Sequence, residues 1–146
     1  MSNLPEPTEA AIPPITQTFL LCDLVITDET TKKKTLVGVF DRIWVSKFPA
    51  KHTPAALYMR LFDAQGDCDL RVDYVKVDDQ SVLGQVEGKM QSVKRHTTVE
   101  FAIALPPIDI PAPGDYEFRL WINELYAHRV KFTAEQLPVD RKPAQA

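Results

Sequence analysis

The spacing Asp63-x-x-x-Asp67-x-Asp69 puts three carboxylates on one short stretch, the oxygen-rich chemistry that calcium takes. Asp28 and Glu29 fall at the same end of the fold argued below. So do Lys32, Lys33, Lys34, Lys94 and Arg95, which neutralise that end. Asp and Gly are also ordinary turn residues, so a calcium site is disfavoured. Two further carboxylates, Asp23 and Asp41, interrupt apolar runs. As an acid–base pair they would need a nucleophile or an oxyanion donor, and the sequence offers neither. The structural reading is that each accepts hydrogen bonds from nearby backbone or arginine, because a half-buried charge needs a partner.

His52, His96 and His128 could form a metal site or a proton relay if they converged. In consecutive antiparallel strands the loops alternate between two ends. That rule puts His52 and His96 at opposite ends and His128 in mid-strand. There is no GxSxG elbow, no HExxH pair and no glycine-rich phosphate loop. Cys22 and Cys68 are too few for a disulfide framework or a four-cysteine zinc site, so they read as two reduced thiols in a reducing compartment. No enzyme, cofactor or metal is expected.

These residues sit on elements with period two. The chain has 146 residues, enough for one domain with a real core. Its net charge of -3 argues against a nucleic-acid surface and against a polybasic membrane-binding one. No apolar run reaches the roughly 18–20 residues of a membrane span, and no signal-peptide pattern opens the chain, so the expected location is cytoplasmic. Residues 1–15 hold four prolines and read as an extended or disordered arm. Residues 138–146 read as a flexible tail, leaving residues 16–137 as the folded domain. Eight strands are predicted there: Thr18–Thr27, Thr35–Ser46, Ala56–Phe62, Asp69–Val77, Ser81–Met90, Thr97–Leu105, Tyr116–Asn123 and Leu125–Phe132. Thr133 to Leu137 could add one helical turn at most. Pro106 to Asp115, with four prolines, suits a crossover between sheets. The pattern predicts an all-β, eight-stranded antiparallel sandwich, immunoglobulin-like or related in topology.

The first two strands barely alternate, so both faces of their hairpin are apolar. A turn centred near Thr30 and Thr31 sets Asp23 opposite Gly38 and Arg42 opposite Phe19. Cys22, Leu24, Ile26, Val37, Val39, Ile43 and Val45 then line one face, read as the core face. The other face carries Phe19, Leu21, Val25, Leu36, Phe40, Arg42 and Trp44. Trp and Arg are enriched at binding hot spots. Phe19, Leu21, Phe40, Arg42 and Trp44 are therefore the candidate interaction surface, unless the arm or the crossover covers them.

Three steps in this chain, Cys22-Asp23, Gly38-Val39-Phe40 and Phe48-Pro49, resemble those of an uncharacterised family of short bacterial β-sandwich proteins. The resemblance covers most of the folded unit. It implies a bacterial origin and brings no activity, ligand or catalytic residue. The expected function is a non-enzymatic protein–protein interaction or assembly module, through self-association or an unidentified protein partner. The alternative is a carbohydrate- or lipid-binding sandwich with its site in the loops at one end, where Lys47, Phe48, Lys51 and His52 lie.

Overall fold

The cleanest alternation in the chain forms the centre of the molecule. In the strand Gly114–Ile122, Tyr116, Phe118, Leu120 and Ile122 enter the core while Glu117, Arg119 and Trp121 face away from it. The computed structural model describes residues 11–138, which form twelve strands and no helix. They are β1 (Ile15–Cys22), β2 (Leu24–Thr27), β3 (Lys34–Val37), β4 (Arg42–Val45), β5 (Ala50–His52) and β6 (Ala56–Phe62). The second half holds β7 (Gly66–Lys76), β8 (Ser81–Val93), β9 (Thr98–Ala104), β10 (Ile108–Ile110), β11 (Gly114–Ile122) and β12 (Leu125–Gln136).

Two larger sheets share one core. A five-stranded sheet runs β4-β12-β11-β7-β8 and a three-stranded sheet runs β1-β6-β9. Phe19 and Leu21 from β1 and Leu57, Met59 and Leu61 from β6 join the same buried cluster as Val72, Phe118 and Phe132 of the larger sheet. Two ribbons, β2-β3 and β5-β10, complete the set of four sheets. The predicted crossover from Pro106 to Asp115 does pass from the small sheet to the large one, and it carries β10 on the way.

The count of eight strands is corrected to twelve among the described residues. The first predicted strand breaks at Asp23, and the second breaks between Gly38 and Asp41. Each half then joins a different sheet. The predicted helical turn at Thr133 is also corrected. Thr133 to Gln136 instead pair in parallel with Arg42 to Val45, which satisfies their backbone groups and buries Ala134. The turn at Asn123-Glu124 has positive φ at both residues (51° and 64°), as a type I′ hairpin requires. Part of the proline-rich arm is held down: Ile12 and Gln65 exchange two backbone hydrogen bonds of 3.0 Å. The rest of the arm, residues 1–10, and most of the predicted tail, residues 139–146, lie outside the described residues.

An aromatic stack ties the core together. Tyr116 and Phe132 stack with ring centroids 5.3 Å apart, and Tyr74 and Phe118 at 4.8 Å. Both tyrosines keep their polar ends satisfied. The Tyr74 hydroxyl donates to the Asp109 carbonyl at 2.7 Å, and the Tyr116 hydroxyl donates to the Ala112 carbonyl at 2.6 Å. The crossover is thereby fastened to the core from beneath. Phe132→Ala should cost about 3–5 kcal/mol, because it removes a fully buried ring. Tyr116→Phe should cost only about 1 kcal/mol. Urea unfolding of the two variants measures both, and equal losses would contradict this division of roles.

Candidate functional site

The five residues of the candidate surface do not form one exposed face. Phe19 is 4% and Leu21 1% exposed, both inside the core. Phe40 is half-buried, with its ring edge-on to His52 at 5.4 Å and to Phe132 at 6.4 Å. Only Arg42 and Trp44 stand outside, on the edge strand β4, where Trp44 is 53% exposed. The Arg42 guanidinium lies 5.7 Å from the Trp44 ring centroid and pairs with Glu135 at 2.5 Å. The reason is the break in the second strand. Arg42 was expected opposite Phe19, but Phe19 pairs with Met59 in the small sheet and Arg42 with Thr133 in the large one.

The register of the hairpin itself holds as far as the break. Leu24 faces Val37, Val25 faces Leu36 and Ile26 faces Thr35. This register continues to Asp23 and Gly38, and the Asp23 amide donates to the carbonyls of Val37 (2.9 Å) and Gly38 (3.1 Å). Gly38 has φ +68°, and a Cβ there would run into the Asp23 carboxyl carbon at 2.7 Å. The predicted core face holds only at its ends, where Cys22 and Ile43 are buried and Val45 packs against the core. Leu24, Ile26, Val37 and Val39, read from the sequence as core, are exposed, Ile26 by 52% and Val39 by 58%. The β2-β3 ribbon lies beyond the three-stranded sheet, so neither of its faces enters the main core cluster. At its tip, Asp28 accepts hydrogen bonds from the amides of Thr30 (2.9 Å) and Thr31 (2.7 Å), which lower its pKa.

The groups that could do chemistry are committed elsewhere. Among the described residues no three His, Cys, Asp or Glu side chains gather to hold a metal. Asp63, first of the predicted calcium-type carboxylates, is clamped by Arg95 at 2.7 and 2.8 Å and by the His96 amide at 2.9 Å. The Arg95 hydrogen bonds, then the His96 amide, hold the Asp63 carboxyl far below its ordinary range. Cys22 and Cys68 are both free and buried, and burial raises both thiols above their ordinary value. Neither is therefore a ready thiolate. In the predicted loop site, Phe48 packs against the core and Lys51 pairs with Asp109 at 3.4 Å.

The outer face of the five-stranded sheet carries an ion-pair ladder that sequence alone did not reveal. Arg119 holds Glu117 at 2.8 Å, and Arg71 holds both Asp73 (3.0 Å) and Glu124 (2.6 Å). The Arg71 guanidinium also covers Trp121, 5.1 Å from its ring centroid, and Tyr126 meets that ring edge-on. The available signal was the i, i+2 repeat of opposite charges, Arg71 with Asp73 and Glu117 with Arg119, which puts each pair on one face of a strand. These charges pair with one another beside a surface cavity of about 410 Å³ lined by Arg71, Glu87, Trp121 and Glu124.

A family of unknown function, DUF6941, matches residues 17–135. The chain belongs to that family. The match takes in almost all of the twelve strands, from within β1 to within β12. No curated protein matches the chain. As in the resemblance read from the sequence, membership of DUF6941 names no activity. No helix among the described residues is long and apolar enough to cross a membrane.

Two variants check this account. Gly38→Ala should destabilise the DUF6941 chain by about 1–3 kcal/mol, from left-handed backbone strain and the collision with Asp23. Asp23→Ala added to it should recover the steric part, read by chemical denaturation. Asp63→Asn should be less stable than wild type near neutral pH. Because the folded-state pKa of Asp63 is depressed, its contribution is present above the unfolded pKa of about 4 and is lost as pH falls further. The two melting temperatures should converge in acid; a constant gap would refute the role of the clamp.

Proposed function

We propose that this chain is a non-enzymatic interaction or assembly module that self-associates through its β2-β3 ribbon. One observation carries the reading: Leu24, Ile26 and Val37 share one face of a two-stranded ribbon and are exposed. A two-stranded hairpin is marginal alone in water, and an apolar face on it gains most by being covered. Trp44, exposed on the edge strand β4, is a second apolar contact available to such an assembly.

The framework supports this use. We read it as an immunoglobulin-like sandwich. The strand order β1-β6-β9 facing β4-β12-β11-β7-β8 favours that reading, as does the chain's early switch from one sheet to the other. So does Tyr116, near the start of β11, whose hydroxyl also accepts from the Ala112 amide at 3.2 Å. Such a tyrosine corner marks the same place in immunoglobulin domains. The buried free thiols fit a reducing compartment such as the bacterial cytoplasm.

Size-exclusion chromatography with light scattering tests the proposal on the full chain. Wild type should run as a dimer or larger. Ile26→Asp with Val37→Asp should run as a monomer with a little-changed melting temperature, since both residues lie outside the core cluster. A monomeric wild type, or an unchanged mass for the variant, would overturn it.

A further inference from the structure

The two large sheets differ in width, and the difference leaves a slot. The Phe19 ring of β1 meets the His128 ring of β12 at 6.1 Å, so these strands lie over one another. Counting across from there, the strand orders set β6 opposite β11 and β9 opposite β7, and the cleft that Leu105, just after β9, lines together with Val72 of β7 agrees with this. The edge strand β8 then overhangs, with no fourth strand of the small sheet beneath it among the described residues.

Side chains along this overhang have the character of an unfinished core. On the central strand β6, Leu57, Met59 and Leu61 are fully buried. Their cross-strand neighbours on β9, Ile103, Phe101 and Val99, are only half-buried. On β8, Gly84, Val86 and Gly88 pair with the core residues Tyr74, Val72 and Leu70 and so face the slot. A Cβ built on Gly84 or Gly88 would meet no atom within 4 Å, so the space beneath them is open. One end of the slot is a cleft of about 190 Å³ lined by Tyr74, Leu83, Val86, Leu105 and Ile108.

The open edge of β9 lacks the usual protection against pairing. Its seven residues contain no proline, no lysine and no bulge. The other edges are guarded. β1 and β8 are bulged, β8 carries Lys89, and β3 and β4 have four residues each. The single charge on β9, Glu100, pairs with Arg60 at 3.3 Å on the β6 side.

We propose that one extended peptide segment of another protein enters this slot as a fourth strand, pairing with β9 beneath β8. The slot itself defines the guest. By strand order it takes one strand, and the outer backbone edge of β9 pairs with no strand among the described residues. The guest carries apolar side chains at alternate positions, filling the space under Gly84 and Gly88; Glu100 is already held by Arg60 and the Tyr58 hydroxyl and asks for no further charge. The guest has no proline where it pairs. A second copy of this chain does not fit through its own β9, because its β7 would occupy the place of the first copy's β8. The slot adjoins the ribbon, since Leu24 and Val25 of β2 line one cavity with Ala102 and Ala104 of β9; the Ile26→Asp, Val37→Asp variant separates the two proposals, because it should lose self-association and keep peptide binding.

The test uses the full chain and a short synthetic peptide alternating valine with threonine and lysine. The peptide is N-methylated along one edge, so that it can pair on one side only and cannot aggregate. Fluorescence anisotropy should show saturable binding to wild type, and the same peptide methylated on both edges should not bind. Gly84→Leu with Gly88→Leu fills the slot without meeting the protein's own atoms. It should keep the fold and the melting temperature while weakening binding at least tenfold. Hydrogen exchange should show about half of the β9 amides fast in the free protein and slow with peptide. Absence of binding up to about 1 mM would overturn the proposal. So would unaltered binding by the double leucine variant. β9 amides that are already protected in the free chain would overturn it too, showing that this edge is paired without the peptide.

Discussion

The backbone clip at Asp23 decides how the first third of the chain is used. Its amide donates to the carbonyls of both Val37 and Gly38, and the glycine lies directly against its carboxylate. Up to that point β1 belongs to the small sheet; beyond it β2 pairs only with β3. After Gly38 the chain bends away, Phe40 packs against the core, and β4 arrives at the edge of the large sheet. One continuous apolar run is thus divided among three sheets. Without the clip, β2 and β3 could slide on their partner, and a slip of one residue would exchange every side chain between faces.

That division explains what could be read in advance and what could not. β11 buries all four predicted inward residues, because its period-two pattern of apolar residues marks one core face, and β6 is found from Ala56 to Phe62 although both of its faces are largely buried. The hairpin turn and its register were also legible, because a short loop fixes which residues oppose. The assignment of faces was not. With apolar residues on both sides, period two cannot say which side meets the core. The break at Gly38 to Asp41 left two traces, the glycine and the interruption of the apolar run at Asp41, and neither says that the chain changes sheets there. The parallel pairing of β4 with β12 depends on residues some ninety positions apart, beyond any local pattern.

The large sheet's outer face shows how a strongly charged surface can neutralise itself. Arg119, Glu117, Arg71, Asp73 and Glu124 neutralise one another in place, and Arg71 also covers Trp121. Glu117 and Asp73 are buried against half-buried guanidinium partners, which lets two carboxylates sit mid-strand without stranding a charge. These five charged residues therefore serve the framework. Apolar residues left uncovered, on the ribbon and beside β9, are where another surface has most to gain.

The parallel seam between β4 and β12 also orders events in time. A ribosome delivers Arg42 to Val45 long before Thr133 to Gln136 exist. Until the last strand emerges, that early segment has no neighbour to hold it, and its isoleucine and tryptophan face water. Closure of the whole barrel of contacts therefore waits on the final residues of the domain, so nascent chains stalled before β12 would hold a sticky, half-built intermediate suited to capture by a chaperone.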